Sequence, residues 1–346
     1  MTGLAVNARG MVTALGFNAP ASLAALRAGI SGVRELPWVD FESGEPLRGA
    51  KISLPQWSES VGKLADLAAT AIDECLASGR AAPVSQVPLL IGVAAPQRPG
   101  RFGELDAELL DAIAARLGSS LHPRSALYPQ DQFGCAQALA TARALLESGQ
   151  AAQVVVAGVD SYLHDVTLDA YLERRRLMTP SNSNGFFPGE AACAVLVEPP
   201  TGRVGELLIL GLAHDHESAT IESHEPFQGR GLTRAVQQAL GQAGVALREV
   251  AYRLTDLSGE HYKFKEAAFV AGRLNGGQRS VPLDLWHPVE YLGEIGAAVL
   301  PCLLAQAMHA AEEGYAPGPL ALCHVGSDAG ERAALVVGAR SAREAL

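Results

Sequence analysis

The chain has 346 residues, of which 48% are hydrophobic, and it carries a formal net charge of -10 at pH 7. A chain of this length can bury one large core or two medium ones, which excludes a peptide module or a disordered tail. The negative charge would repel a phosphate backbone, and the sequence has no stripe of aromatic and basic residues, so we expect no nucleic-acid partner.

Targeting signals and disulfides are not expected either. No run approaches the roughly 18 to 20 apolar residues of a membrane-spanning helix. The opening MTGLAVNARGMVTALG has no basic-then-apolar signal with a cleavage site. The cysteines are odd in number, far apart and without a CxxC pair, which argues against a disulfide framework or a zinc site; they are Cys75, Cys135, Cys193, Cys302 and Cys323. We therefore expect a cytoplasmic protein with reduced thiols and no membrane span.

Apolar runs alternate with alanine-rich stretches along the chain. The stretch QALATARALLESG, residues 137–149, has the composition and spacing of a helix. Near-continuous apolar strands between helices are typical of a sheet that is covered on both faces, which predicts an α/β architecture. In chain order, the apolar runs are VPLLIGVAA (87–95), VVVAGV (154–159), CAVLVE (193–198), LALCHVG (320–326) and ALVVGA (334–339).

Two helix–loop–strand units recur at nearly equal spacing. When the first unit is aligned with its later copy, Ala94 matches Asp256, 162 residues further on. The second unit, residues 135–159, is echoed by residues 296–325, and its strand end is repeated 166 residues later. Matched offsets of this kind indicate an internal repeat.

The repeat predicts two similar βαβ-rich halves. The first half spans residues 1–200 and carries Cys135, the second spans residues 201–346, and they meet near the proline pair Pro199 and Pro200. The alternative is that helix–loop–strand units recur by chance, as they do in any α/β protein.

Several short motifs occur in an order that resembles one protein family. They are GMVTALGFNAPASLAALRAGISGV (10–33), FGCAQALATARALLESGQAAQVVVAGVDS (133–161), NGFFPGEAACAVLVE (184–198), REVAYRLTDLSGE (248–260), LGEIGAAVLPCLLAQAMHAAEEG (292–314) and HVGSDAGERAALVV (324–337). Together they resemble the β-ketoacyl-acyl-carrier-protein synthases over nearly the whole chain. The resemblance implies a five-layered αβαβα thiolase fold made of two similar halves, usually as a homodimer.

Cys135 stands at the position of the nucleophilic cysteine in that family. It lies between Gly134 and a helix-forming stretch. At a helix N-terminus, unpaired backbone N–H groups and the macrodipole favour the thiolate that would accept an acyl group. The alternative is a small cysteine packed at the helix start, since free cysteine is among the most buried residue types.

The resemblance fails at the two histidines, or the histidine and asparagine, that hold the malonyl thioester oxygen in the family. Alignment places Asp256 at the first donor and Glu294, or Gly293 if the gap moves, at the second. An aspartate near neutral pH would repel an enolate, so we expect a degenerate site without decarboxylative condensation. His261 and His287 lie near these positions and would substitute only from shifted loops; the alternative is that both are ordinary loop histidines.

Other family positions are kept in part. Glu190 in the GFFPGE loop matches the family residue, and we expect it to brace the fold instead of acting in chemistry. In the last motif, His324 or Val325 stands where the family has an aromatic gate. The resemblance implies substrate-binding positions at Phe186, His324, Gly326 and Gly330.

Three histidines lie close together in the segment AHDHESATIESHEP. His214 and His216 would share one face of a strand, with His224 nearby, which is at most half of a metal site. The segment falls where the family has a variable loop, so we expect no metal and no cofactor.

The basic run Arg174, Arg175 and Arg176 allows two interpretations. It would suit an acidic carrier protein by charge, or it is the solvated face of a helix.

Two functional hypotheses remain open. The first is an acyltransferase of the β-ketoacyl synthase type, in which Cys135 takes an acyl group from an acyl-carrier protein or coenzyme A thioester. The second, which we favour, is a non-condensing scaffold or partner subunit in which Cys135 is a relic. The resemblance then implies a homodimer, a heterodimer with a complete synthase, or a secretion-system adaptor.

Overall fold

The computed structural model describes residues 3–54, 59–203, 206–275 and 283–339. Within these ranges the chain forms a ten-stranded mixed sheet, a two-stranded sheet and nine helices. No helix in the described part of the chain has both the length and the apolar character that crossing a membrane requires.

The elements alternate between strands and helices along the chain. In the first half they are β1 (Leu4–Thr13), α1 (Ala19–Arg27), β2 (Arg34–Val39), β3 (Pro46–Gly49), α2 (Val61–Gly79), β4 (Leu89–Val93), α3 (Leu105–Leu117), β5 (Ala126–Pro129), α4 (Gly134–Glu147), β6 (Val154–Ser161), α5 (Asp165–Glu173) and β7 (Glu190–Glu198). In the second half they are β8 (Leu207–His216), α6 (Arg230–Ala243), β9 (Tyr252–Thr255), α7 (His261–Asn275), β10 (Asp284–Trp286), α8 (Val289–Leu292), α9 (Val299–Glu312), β11 (Leu320–Gly326) and β12 (Glu331–Ala339).

The two halves of the large sheet have the same strand order. The first half runs β5-β4-β6-β7-β1 and the second runs β10-β9-β11-β12-β8. In each half the first three strands are parallel and the last three are paired antiparallel. The halves join where Leu4, Ala5 and Val6 of β1 pair with the start of β8.

The repeat offsets correspond to this symmetry. The first repeated unit ends in β4 and its copy in β9, while the second contains α4 and β6 and its copy contains α9 and β11. These are the equivalent elements of the two strand orders, so the predicted pair of similar βαβ-rich halves is confirmed. The boundary at residue 200 stays a prediction, and it falls between the end of β7 and the start of β8.

Helices fill the space between the halves and cover both outer faces. α9 is apolar on nearly its whole surface, which is typical of a helix enclosed on all sides, and it packs in one core with Val195 of β7 and Leu335 of β12. α2 and α3 cover the outer face of the first half, and α6 covers that of the second. The result is five layers in the predicted order α, β, α, β, α.

A smaller unit lies beside the first half. β2 and β3 pair antiparallel as a hairpin, and Leu36 and Leu47 from the hairpin pack with Leu168 and Tyr171 of α5. This apolar cluster fixes the hairpin against α5, so that the turn at residues 40–44 lies beside the end of that helix.

Candidate functional site

Cys135 is the second residue of α4, at the centre of the molecule. The helix follows a short 3-10 turn at Asp131–Phe133. A side chain at Gly134 would collide with the carbonyl oxygen of Tyr128, and one at Gly92 would lie 2.6 Å from the sulfur of Cys135. Glycine at these two positions therefore lets the helix start approach the end of β4 closely.

The Cys135 thiol is sealed by backbone on two sides. Its side chain has 0% solvent exposure, and Sγ lies 3.2 Å from the carbonyl oxygens of Ala157 and Ala297, to either of which the S–H group can donate. Burial raises the pKa of the Cys135 thiol to about 12, and the negative charge of Asp160 adds to this effect. The buried position thus opposes the ionisation that the helix start favours.

The two positions predicted to replace the catalytic donors are brought together by a lysine. Lys263, on the first turn of α7, places Nζ 3.1 Å from Oδ2 of Asp256 and 3.4 Å from Oε2 of Glu294. Nζ also donates to the backbone oxygen of Asp256, at 3.2 Å. All three side chains are largely buried, so the site holds one ammonium paired with two carboxylates instead of two hydrogen-bond donors.

The pKa shifts reflect this pairing. Burial raises the pKa of the Glu294 carboxyl, and the nearby Lys263 ammonium opposes that rise. Burial alone would lower the pKa of Lys263, but the carboxylates of Asp256 and Glu294 outweigh it, and the net shift is upward. Lys263 therefore stays protonated at neutral pH.

Glu294 is also tied to the turn that precedes Cys135. Its Oε1 accepts hydrogen bonds from Nε2 of Gln132, at 3.2 Å, and from the backbone N–H of Gly296, at 3.0 Å. Gln132 and Lys263 were both missed from the sequence. Neither has a local signal, because Lys263 is 31 residues and Gln132 is 162 residues from the glutamate that they bind.

A second buried ion-pair cluster lies close to Cys135. Arg98 binds Asp160, and its Nε is 3.5 Å from Oδ1 of Asp131. Oδ2 of Asp160 accepts from the backbone N–H of Ala297, at 3.0 Å. Burial raises the pKa of the Asp131 carboxyl to about 6, while Arg98 opposes the rise. Each of the two clusters therefore pairs one cation with two carboxylates inside the fold.

The last motif closes the Lys263 cluster from the C-terminal side. The backbone N–H of Gly326 donates to Oδ2 of Asp256, at 3.1 Å. His324 is buried on β11, and burial lowers the pKa of its imidazole to about 4, so the ring is neutral at physiological pH. Gly330 turns the chain between β11 and β12 with a φ of 108°, close to the ring of His216.

Little space remains at this cluster. A cavity bounded by Asp256, Lys263, His324 and Gly326 has a volume of about 20 Å³, which is enough for about one water molecule. Cys135 is not among the residues that line it. As the described residues stand, the cavity has no room for an acyl chain.

Phe186 and Glu190 lie in the packed interior. The Phe186 ring makes edge contacts with the rings of Tyr162 and Tyr171, with centroids 5.5 and 5.2 Å apart. Glu190 is fully buried and binds the Lys63 ammonium, and it also accepts from the backbone N–H of Ile52, at 2.9 Å. These contacts brace the fold and give Phe186 no exposed face.

The other histidines lie apart from the thiol. His261 is exposed at the start of α7, and the His287 ring packs edge-on against Phe264 with Nδ1 3.6 Å from Oε2 of Glu290. The ring of His214 packs against Phe133, with centroids 5.8 Å apart. Among the described residues, no three His, Cys, Asp or Glu side chains are arranged to hold a metal ion.

The basic run directly after α5 is paired with carboxylates. Arg174 pairs with Glu222 at 2.8 Å and Arg175 with Glu42 at 3.2 Å. Arg176 is buried and binds both Glu260 and Asp328, at 2.7 and 2.6 Å. Within the described ranges, each arginine of the run therefore has a carboxylate partner, and only Arg176 is buried with its partners.

Comparisons with known proteins support the fold. No family model and no curated protein matches the sequence. Solved structures do match. A ketosynthase in complex with its chain length factor from Xenorhabdus doucetiae has a TM-score of 0.75 and 17% identity, with 98% of each chain covered.

Two further matches belong to the same group of structures. A β-ketoacyl synthase from Burkholderia phymatum STM815 has a TM-score of 0.73 and 15% identity, covering 98% of this chain and 100% of that one. A third structure is of a type II polyketide synthase acyl-carrier protein in complex with its ketosynthase, bound to the hexaketide. One chain of that complex matches with a TM-score of 0.78 and 14% identity, covering 98% of this chain and 99% of that one. This chain therefore has the thiolase fold of the ketosynthases.

Proposed function

We propose that this chain is a non-condensing subunit of thiolase fold that acts as the partner of a complete ketosynthase. The observation that carries the proposal is the Lys263 cluster. Condensation needs N–H donors aimed at the thioester oxygen as negative charge develops there. At the positions that the motif alignment predicts to correspond, this chain has Asp256 and Glu294, whose oxygens accept hydrogen bonds and cannot donate them when ionised.

Lys263 does not replace the missing donors. An ammonium group has three hydrogens, and Nζ of Lys263 has three acceptors, namely two oxygens of Asp256 and one of Glu294. No hydrogen is left for a substrate oxygen while these bonds persist. Breaking them would leave two buried carboxylates without a cation, which is strongly unfavourable.

The thiol and the available space support the same conclusion. Cys135 is buried with a raised pKa, whereas an acyl-accepting cysteine needs a thiolate that substrate can reach. The cavity beside the cluster holds only about one water molecule. These features argue against the acyltransferase hypothesis.

The assignment as a partner subunit is supported by the similar structures. One of them is a ketosynthase in complex with its chain length factor, so this fold is found in assemblies of a ketosynthase with a second protein. A chain that keeps the whole fold but fills its reaction site with ion pairs suits such a role, because the fold supplies an interface that needs no chemistry of its own.

Acylation of Cys135 is the direct test of the chemistry. The native protein is incubated with acyl-coenzyme A and with acyl-acyl-carrier protein and then analysed by intact mass spectrometry. We expect no added acyl mass and slow reaction with iodoacetamide. In 6 M guanidinium chloride all five thiols, which are free, should label, and this serves as the control. Acyl mass on Cys135 in the native protein would instead establish an acyltransferase.

The partner role has its own test. The tagged chain is purified from cells that produce it naturally, and we expect a complete ketosynthase to co-purify in stoichiometric amount. Condensation by that ketosynthase should fall when the chain is removed and should recover equally with wild-type protein or Cys135→Ala. Failure of Cys135→Ala to restore condensation, or the absence of a ketosynthase from the complex, would overturn the proposal.

A further inference from the structure

Phe41 is the most exposed large apolar side chain of the described residues. It lies at the tip of the β2–β3 hairpin, and 90% of its surface is accessible to solvent. Burial of an aromatic side chain is strongly favourable, and aromatic residues are enriched at the centres of protein–protein interfaces. Phe41 therefore has the properties of an interface anchor that is left uncovered by the described residues of this chain.

The turn that carries Phe41 is held rigidly. Oδ1 of Asp40 accepts from the backbone N–H of Glu42 at 3.1 Å, and Oδ2 accepts from the hydroxyl of Ser43 at 2.7 Å. The N–H of Gly44, at a φ of 74°, donates to the backbone oxygen of Asp40 at 2.8 Å. An anchor that is held in place before binding loses little entropy when a partner covers it.

A cavity lies directly beside this anchor. It has a volume of about 250 Å³, and Phe41 forms part of its wall. Leu172 and Leu177 provide apolar surface, while Asp169 and Glu173 provide carboxylates. Asp40, Glu42 and Arg175 also line the cavity, so four carboxylates and one guanidinium border an apolar centre, and the border is acidic on balance.

The charges at the border are unfavourable within the chain itself. Asp169 and Glu173 are both exposed and lie four residues apart on α5, where like charges repel. Glu173 is also the last residue of the helix, where the macrodipole disfavours an anion. Neither carboxylate forms an ion pair with any residue in the described part of the chain, and Arg175, which lines the same cavity, is paired with Glu42.

We propose that Phe41 and the adjacent cavity form a docking surface for a partner protein that presents basic residues around an apolar pocket. Phe41 enters that pocket, and lysine or arginine side chains of the partner meet Asp169 and Glu173. A second copy in a two-fold contact is disfavoured, because the same carboxylates would face each other. An acidic carrier protein is disfavoured for the same electrostatic reason. The surface is independent of the chemistry at Cys135 and goes beyond the proposed function.

Site-directed photo-crosslinking tests this surface in cells that produce the chain naturally. Position 41 is replaced in the full-length protein by p-benzoylphenylalanine, and the crosslinked partner peptide is identified by mass spectrometry. The same substitution at Phe17, which is 53% exposed elsewhere on the molecule, is the matched control. We expect one specific adduct from position 41, absent from position 17, whose crosslinked segment contains lysine or arginine beside apolar residues.

A second experiment reverses the charges at the border of the surface. Asp169→Lys combined with Glu173→Lys should lower the yield of that adduct by about tenfold or more, because attraction across the interface becomes repulsion. The melting temperature of each variant shows whether it still folds. The proposal is overturned by an adduct with a second copy of this chain, by an adduct with an acidic surface, by a yield that charge reversal does not change, or by no adduct at position 41.

Discussion

The centre of the molecule at Cys135 and the surface at Phe41 differ in whether their carboxylates are paired and whether their other side chains are enclosed. At the centre, Lys263 and Arg98 each pair with two carboxylates, and the thiol is enclosed by backbone. At the surface, Asp169 and Glu173 have no ion-pair partner among the described residues, and an aromatic side chain faces solvent.

The difference indicates where binding can occur. A buried charge must be neutralised within the fold, because leaving it unpaired costs several kcal/mol. An exposed charge is solvated and remains available to another molecule. The buried carboxylates near Cys135 therefore have their ion-pair partners within the chain, while the surface at Phe41 is suited to a partner. The following experiments challenge that contrast, in order of decreasing effect.

Loss of the central lysine should have the largest effect. Lys263→Met leaves Asp256 and Glu294 buried without a cation, and we expect the free energy of unfolding to fall by about 3 to 5 kcal/mol. Guanidinium denaturation followed by circular dichroism measures this change. Lys265→Met, on the exposed face of the same helix, is the control and should change stability by less than about 0.5 kcal/mol. Equal effects of the two variants would show that the pairing of Lys263 with Asp256 and Glu294 does not stabilise the fold.

The second prediction concerns pH. The pKa of Asp131 is raised to about 6 from an ordinary 3.8, so the folded state holds its proton more tightly than the unfolded state does. The stabilisation from this proton is complete below about pH 4 and is lost as pH rises through 6, which amounts to at most about 3 kcal/mol.

Asp131→Asn should remove this pH dependence. Asparagine still offers an oxygen to the N–H of Ala95 and tolerates the positive φ at this position. Relative to wild type, the variant should gain up to about 3 kcal/mol of unfolding free energy between pH 4 and pH 8. Urea denaturation at steps of one pH unit measures the difference, with the exposed Asp111→Asn as control. Parallel profiles for wild type and Asp131→Asn would contradict the prediction.

The third prediction addresses the enclosure of the thiol. Gly92→Ala places a methyl group 2.6 Å from the Cys135 sulfur, and we expect it to lower the free energy of unfolding by about 1 to 3 kcal/mol. Cys135→Ala removes the sulfur, so the same substitution should cost less in that background. Thermal denaturation of wild type, the two single variants and the double variant gives the coupling free energy between positions 92 and 135. Additive effects would mean that the methyl group at position 92 does not collide with the Cys135 sulfur.

The smallest stability effect is expected at the surface anchor. Phe41→Ala removes an exposed ring and should change the free energy of unfolding by less than about 0.5 kcal/mol. Phe186→Ala, which empties a packed aromatic cluster, should cost about 3 to 5 kcal/mol and provides the comparison. Both are measured by guanidinium denaturation. A large loss of stability for Phe41→Ala would show that the ring packs within the fold and does not serve as an exposed binding residue.

Much of the fold was accessible from sequence pattern. The apolar runs at 87–95 and 154–159 became β4 and β6, and the spacing of the repeat identified their equivalents β9 and β11. Such signals are local, since strand and helix periodicity is written along the chain. The order of motifs further indicated the thiolase fold that the solved structures share.

The candidate site was accessible only in part. The motif alignment singled out Cys135, Asp256 and Glu294, and their roles in substrate chemistry stay predictions. It did not identify Lys263 or Gln132, which bind Glu294 from other segments. It also left open whether the thiol is exposed, because burial depends on how closely the backbone at Ala297 approaches.

By itself, the sequence determined the alternation of strands and helices, the duplicated architecture and the placement of a cysteine at a helix start. Only the tertiary structure decided that this cysteine is enclosed, that a lysine distant in sequence pairs with the two carboxylates, and that Phe41 is exposed to solvent. The physical reason is that periodicity and turn preferences act between near neighbours, whereas burial and ion pairing depend on distances between segments that are far apart in the chain.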